Sequence, residues 1–148
     1  MSIADEVNAA IADAMRKHDP ARLSALRMLK AALTNRSVEK GRALDDADAR
    51  QVVSALVKQR KDSIEQLTKG GRNDLADKEA AEIAVLESYL PPAVDPAVVE
   101  TAVVEAIAET GATSPKDMGR VMKAAMAKLA GQNVDGKAVN ELVRKKLG

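Results

Sequence analysis

The chain contains no cysteine, no tryptophan and no phenylalanine, and Tyr89 is its only aromatic residue. Without cysteine there is no disulfide, no thiolate nucleophile and no cysteine-ligated zinc. One histidine, His18, is too few for a histidine-rich metal centre. So few aromatics give no platform for stacking single-stranded bases. They also leave the core to Leu, Val, Ile, Ala and Met, which suits close-packed helices better than a sheet. No run of about 18 apolar residues can span a bilayer, so no membrane contact is expected. The opening MSIADEV is acidic and lacks the basic start of a targeting segment, which leads us to expect a cytosolic protein.

What is present indicates a folded, soluble, all-α protein. Of 148 residues, 46% are apolar and 30% charged, a globular rather than a disordered balance. Helical spacing and capping residues mark four helices before a proline-rich boundary. The first runs from Ser2 to about Lys17 and the second from Asp19-Pro20 to about Val38. The third opens at Asp45-Asp46-Ala-Asp48 and ends at Gly70-Gly71; the fourth is capped by Asn73 and ends at Pro91-Pro92. Three more follow, at about 96–110, 115–130 and 136–147, with Ser114 as a cap for the sixth. We therefore expect two helical subdomains, 1–91 with four helices and 92–148 as a three-helix bundle. The three aspartates at 45–48 read as caps and not as a metal site, because no calcium-loop pattern follows them.

Arg60 falls inside the apolar stripe of the third helix, among Val53, Leu56, Ile64 and Leu67. A charge there requires a partner. Glu79 on the fourth helix is the first choice, with Glu82 or Glu87 next. This pair is read as structural.

The net charge of +1 hides a strong asymmetry. Residues 16–42 carry eight cations against Asp19 and Glu39, and residues 115–148 carry eight against Asp117, Asp135 and Glu141. Such clustering is the footprint of a polyanion partner, or otherwise a solvated helix surface. With no stacking platform, folded RNA met through its backbone and shape is the nucleic acid that fits.

Chemistry is harder to find. His18 sits at a helix end beside Asp19, where it reads as a partner for terminal carbonyls rather than a base. Ser114 and Lys116 could form a Ser-Lys nucleophile, but Ser114 reads better as a helix cap. Gly70-Gly71 reads as a helix C-cap, with a phosphate cradle between Lys69 and Arg72 as the alternative. No catalytic residue, metal site or cofactor site is expected.

Three stretches carry a resemblance: RLSALRMLKAAL (22–33), VKQRKDSIEQLTKGGRNDLADKEAAEIAVLESYLP (57–91) and GATSPKDMGRVMKAAMAKLAGQNVDGKAVNELVRKKL (111–147). Together they resemble the YqeY family, small all-helical bacterial proteins of two subdomains. Such proteins are similar to the tail of the GatB subunit of the tRNA-dependent amidotransferase, a module also appended to some glutaminyl-tRNA synthetases. The resemblance implies a non-catalytic tRNA-binding module that assists aminoacyl-tRNA metabolism, with a synthetase or an amidotransferase as a further partner. Its alternatives are an accessory part of a carbon–nitrogen ligase using glutamine as amido donor, or a helical protein-interaction adaptor. The likeness to the tail is best at Met118–Lys123 and Gly136–Val143. By analogy it places the RNA-facing residues at Lys116, Arg120, Lys123, Lys128, Gln132, Lys137, Asn140 and Arg144. Gly119 reads as a close helix-packing position. Asn140 could equally serve as a local cap or an interhelix hydrogen bond. The catalytic domain of GatB and the Ser-Ser-Lys triad of the amidase subunit have no counterpart here.

Overall fold

A computed structural model describes residues 2–148. Those residues form seven α-helices: α1 (Ile3–Arg16), α2 (Pro20–Lys40), α3 (Asp46–Lys69), α4 (Asn73–Glu87), α5 (Pro96–Thr110), α6 (Met118–Lys128) and α7 (Gly136–Leu147). A short 3-10 turn, Pro115–Asp117, precedes α6. Among the described residues the only extended pairing is an isolated bridge between Ala93 and Asn133. The fold is therefore all-α.

The chain divides into two compact units, Met1–Leu90 and Pro91–Gly148. In the first, Val7, Leu29, Leu33, Val53, Val57, Ile83 and Leu86 form the core, one stripe from each of four helices. In the second, Val103 and Ala106 of α5 pack with Val121 and Ala125 of α6 and Val139 and Val143 of α7. All six of these are small or β-branched, so the three helices pack closely without aromatic filling.

Local chemistry sets most of the helix ends. Ser2 and Asp5 form a reciprocal capping box at α1, and Asp45 and Asp48 form another at α3. Asp19 and Asp95 cap α2 and α5 ahead of Pro20 and Pro96. Gly41 (φ 68) and Gly111 (φ 66) stop α2 and α5 in the left-handed region, which a β-carbon disfavours.

Other ends differ from expectation. Arg72, not Asn73, takes the N-cap position of α4, and its side chain caps nothing. The Ser114 side chain likewise accepts no capping hydrogen bond, and the expected sixth helix begins as a 3-10 turn. α4 stops at Glu87, ahead of the double proline. There the N–H groups of Ser88, Tyr89 and Leu90 reach carbonyls only three residues back, which tightens the last turn.

The ion pair between α3 and α4 also needs correction. Arg60 Nε lies 2.9 Å from Glu82 Oε2, and Glu79 is not its partner. The buried positions of α4 are Ala76, Glu82, Ile83 and Leu86, so the turn that faces Arg60 carries Glu82. The approach is close but too poorly aligned to satisfy the Nε–H as a hydrogen bond. The guanidinium also meets the sulfur of Met28. Glu79 Oε2 is buried without a hydrogen-bond partner.

Asp48 ties the end of α2 to the start of α3. Its carboxylate accepts from Lys40 Nζ at 2.6 Å and lies 2.8 Å from Arg42 Nη1, with only 8% of the residue exposed. The Lys40 hydrogen bond is the main force holding its pKa far below the ordinary carboxylate value of 3.8; burial opposes it and Arg42 supports it. A depressed carboxylate stabilises the fold above its unfolded pKa and loses that contribution as pH falls through the folded one. Asp48→Asn is thus expected to lower the melting temperature by several degrees at neutral pH. The gap from wild type should close as the pH drops below about 4. Thermal scans from pH 7 to pH 2 check this, and a pH-independent gap would assign the loss to packing.

Candidate nucleic-acid interface

Within the second unit, α5 is the acidic helix, and its carboxylates select which cations stay available. Lys128, at the end of α6, lies 2.6 Å from Glu109 and 3.4 Å from Glu105. Glu109 is the main cause of the raised pKa of that ammonium. Lys146 of α7 reaches Glu100 at 3.2 Å. Both lysines sit on helix edges turned toward α5, so their charges serve the bundle.

The other cations face away. On α6 the buried residues are Val121 and Ala125, while Gly119, Arg120 and Lys123 are exposed on the opposite side, next to exposed Lys116 of the 3-10 turn. On α7, Val139 and Val143 are buried, and Lys137, Glu141, Arg144 and Lys145 line the outer face. Arg120 is partly occupied by Asp117, three residues back. That arginine is also the leading reason the Asp117 carboxyl lies below its ordinary range, followed by the N–H of Thr113. Lys116, Lys123, Arg144 and Lys145 have no carboxylate within ion-pair distance among the described residues.

The eight residues expected to face RNA are therefore divided. Lys116, Arg120 and Lys123 share one strip, and Lys137 and Arg144 share another. Lys128 and Gln132 instead meet beside a cavity at α5. Asn140 is half-buried, and its side chain makes no hydrogen bond within the described residues, so neither a cap nor an interhelix bond explains it. Lys145 belongs with the outer cations and was missed, although the run Arg144-Lys145-Lys146 made it visible.

Gly119 does not pack closely against anything. A β-carbon built there would meet no atom within 4 Å. Its bare backbone lies on the exposed cationic strip, at the second residue of α6.

The first unit's cations are more fully used. Arg16, Lys17 and Arg22 all gather on Asp13, at 3.7, 3.3 and 2.8 Å. Lys40 and Arg42 hold Asp48, and Arg36 reaches Glu39 at 3.1 Å. His18 has an unusual backbone for a non-glycine residue (φ 51), and its N–H donates to Met15 O. Among the described residues no group of three or more His, Asp or Glu is arranged to hold a metal. No helix among the described residues is long and apolar enough to cross a membrane.

A two-unit helical protein with a cationic three-helix end is the class that this architecture defines. The profile of the Yqey-like protein family matches residues 4–147, and the chain belongs to that family. Curated relatives are yeast proteins, each called "Altered inheritance of mitochondria protein 41, mitochondrial". The chain is 36% identical over 78 residues to the one from Lachancea thermotolerans, covering 52% of this chain and 42% of the relative. It is 38% identical over 77 residues to the one from Kluyveromyces lactis, covering 51% and 42%. With that of Saccharomyces cerevisiae strain YJM789 it shares 32% over 78 residues, covering 52% and 42%. The chain thus spans less than half the length of these relatives. Their names overturn the cytosolic placement expected above, since each is named as mitochondrial. They also leave the bacterial character of the resemblance without support.

Proposed function

We propose that this chain is a non-catalytic tRNA-binding helical module, with the outer faces of α6 and α7 gripping the RNA backbone. One observation carries the reading. After α5 has neutralised Lys128 and Lys146, exposed Lys116, Lys123, Arg144 and Lys145 remain on other sides of α6 and α7 with no carboxylate within ion-pair distance among the described residues. A polyanion is the partner that such a surface fits, because it releases counterions from its own backbone on binding. The likeness to the tail of the tRNA-dependent amidotransferase supports tRNA among polyanions. It also supports a role beside a synthetase or an amidotransferase that performs the chemistry.

A gel-shift titration of unfractionated tRNA against salt tests this. Several phosphate contacts require affinity to fall steeply, by more than about 10-fold, between roughly 50 and 200 mM salt. A shallow dependence, or no shift at low salt, rejects the reading.

Gly119 gives a second test with two readouts of opposite sign. Glycine costs helix stability relative to alanine, and no neighbour requires its absence of a side chain. Gly119→Ala should therefore stabilise the second unit by up to about 0.5 kcal/mol. If a phosphate approaches that backbone, the same methyl weakens tRNA binding several-fold. Stabilisation with unchanged affinity would take Gly119 out of the contact.

A further inference from the structure

We infer that the cavity between α5 and the end of α6 receives one unstacked nucleobase of the bound RNA, with adenine as the probe. This inference rests on the tRNA-binding reading above. The cavity holds about 350 Å³, at the lower end of the range for small-molecule sites. Its apolar lining is Ala97, Val98, Ala102 and Leu129, of which Val98 is 46% exposed and Leu129 2%. Thr101, Glu105, Lys128 and Gln132 form the polar rim.

The charge of the rim decides what enters. Lys128 is held by both Glu105 and Glu109, so the cavity presents no net positive charge to a phosphate. A phosphate does better on the open cations of α6 and α7. A base is neutral, has a flat apolar face for Val98 and Leu129, and carries a hydrogen-bonding edge. Gln132 is exposed, and its carboxamide has no hydrogen-bond partner among the described residues. A carboxamide offers one donor and one acceptor side by side, which matches the N6 and N7 edge of adenine. Thr101 donates its hydroxyl proton to Ala97 O at 3.0 Å, so its oxygen remains an acceptor facing the same space. Apolar side chains can hold the face of a flipped base while hydrogen bonds read its edge. Base and phosphate would then be sorted onto different surfaces of one small bundle.

The probe is a pair of RNA hairpins that share a stem. One carries an adenosine-rich loop, and the other carries the same loop without bases, so their phosphates are equal in number. Wild type should bind the adenosine loop about 3- to 10-fold tighter, the size of one net hydrogen bond at the base edge. Gln132→Ala and Val98→Ser should each shrink that preference toward unity without changing the salt slope; both positions are exposed, so the fold tolerates them. The methyl NMR signals of Val98 and Leu129 should shift with the adenosine loop and stay in place with the abasic one. Equal, salt-sensitive affinity for both hairpins overturns the base site and leaves the RNA reading intact. Methyl shifts of the same size with the abasic loop also overturn it. If neither hairpin binds even at low salt, both readings fall together.

Discussion

Reversing two outer cations at once, Lys123→Glu with Lys137→Glu, lowers tRNA affinity by about 10- to 100-fold near 100 mM salt and flattens the salt slope by about two phosphate contacts. The size follows from geometry. Lys123 is exposed on α6, and no carboxylate of the described residues neutralises it, so its whole charge is available to a ligand. Lys137 is exposed on the outer side of α7, where Arg144 is one further cation on the same face. Since Lys137 also interacts within the chain, a circular-dichroism melt must accompany the binding curve, and Lys123→Glu alone serves as the control. Lys128→Glu should behave in the opposite way. It sets a third carboxylate against Glu105 and Glu109, so it should damage the bundle before it damages binding. Intact affinity in the folded double variant would remove α6 and α7 from the interface. The remaining cationic ground would then be the second helix, where Arg27 and Lys30 are exposed and unpaired among the described residues.

That contrast between Lys123 and Lys128 shows where sequence reading reaches and where it stops. Helix count and most boundaries were legible, because Asp19-Pro20, Asp45, Asp95-Pro96, Gly41 and Gly111 act locally on the backbone around them. The cationic character of residues 115–148 was legible too, as it is a matter of composition. What could not be read was which cation meets which acid. Lys128 and Glu109 are 19 residues apart and meet only because α5 and α6 pack side by side. Arg60 shows the same limit. Glu79 and Glu82 are one turn apart, and the crossing of α3 over α4 alone decides which turn faces the guanidinium. Gly119 misled for a different reason. A glycine in a helix suggests close packing, yet this one faces solvent, and nothing in its neighbours' identity reveals that. The clasp of residues 91–94 onto the α6–α7 loop was also invisible. Asn133 donates to Pro91 O at 2.8 Å and accepts from Val94 N–H at 3.0 Å, so a stretch that read as a bare boundary is hydrogen-bonded to the second unit.

Removing the guanidinium between α3 and α4 should cost more stability than any other single change considered. Arg60→Leu leaves Glu82, whose side chain is 8% exposed, facing an apolar core with no cation. The buried oxygen of Glu79, which lacks a hydrogen bond already, has no tie to Arg60 to lose. Breaking one side of such a buried pair costs about 3–5 kcal/mol, because the charge left behind stays desolvated. For a unit of this size, Met1–Leu90, that is a fall of at least roughly 12 °C in its melting transition. Removing both charges has a different effect. Arg60→Leu with Glu82→Leu should recover most of the loss, since apolar side chains of similar volume often replace a buried pair at little cost. Glu79→Leu alone should be neutral or stabilising, as it removes a buried acceptor that no donor satisfies. Only the first of the three variants should be strongly destabilised, and urea or thermal melts separate it from the others. If Arg60→Leu melts within about 2 °C of wild type, the contact with Glu82 is solvated and worth no more than an exposed ion pair. The helical hairpin would then be held mainly by apolar packing, with Val53, Val57, Ile83 and Leu86 among its buried residues.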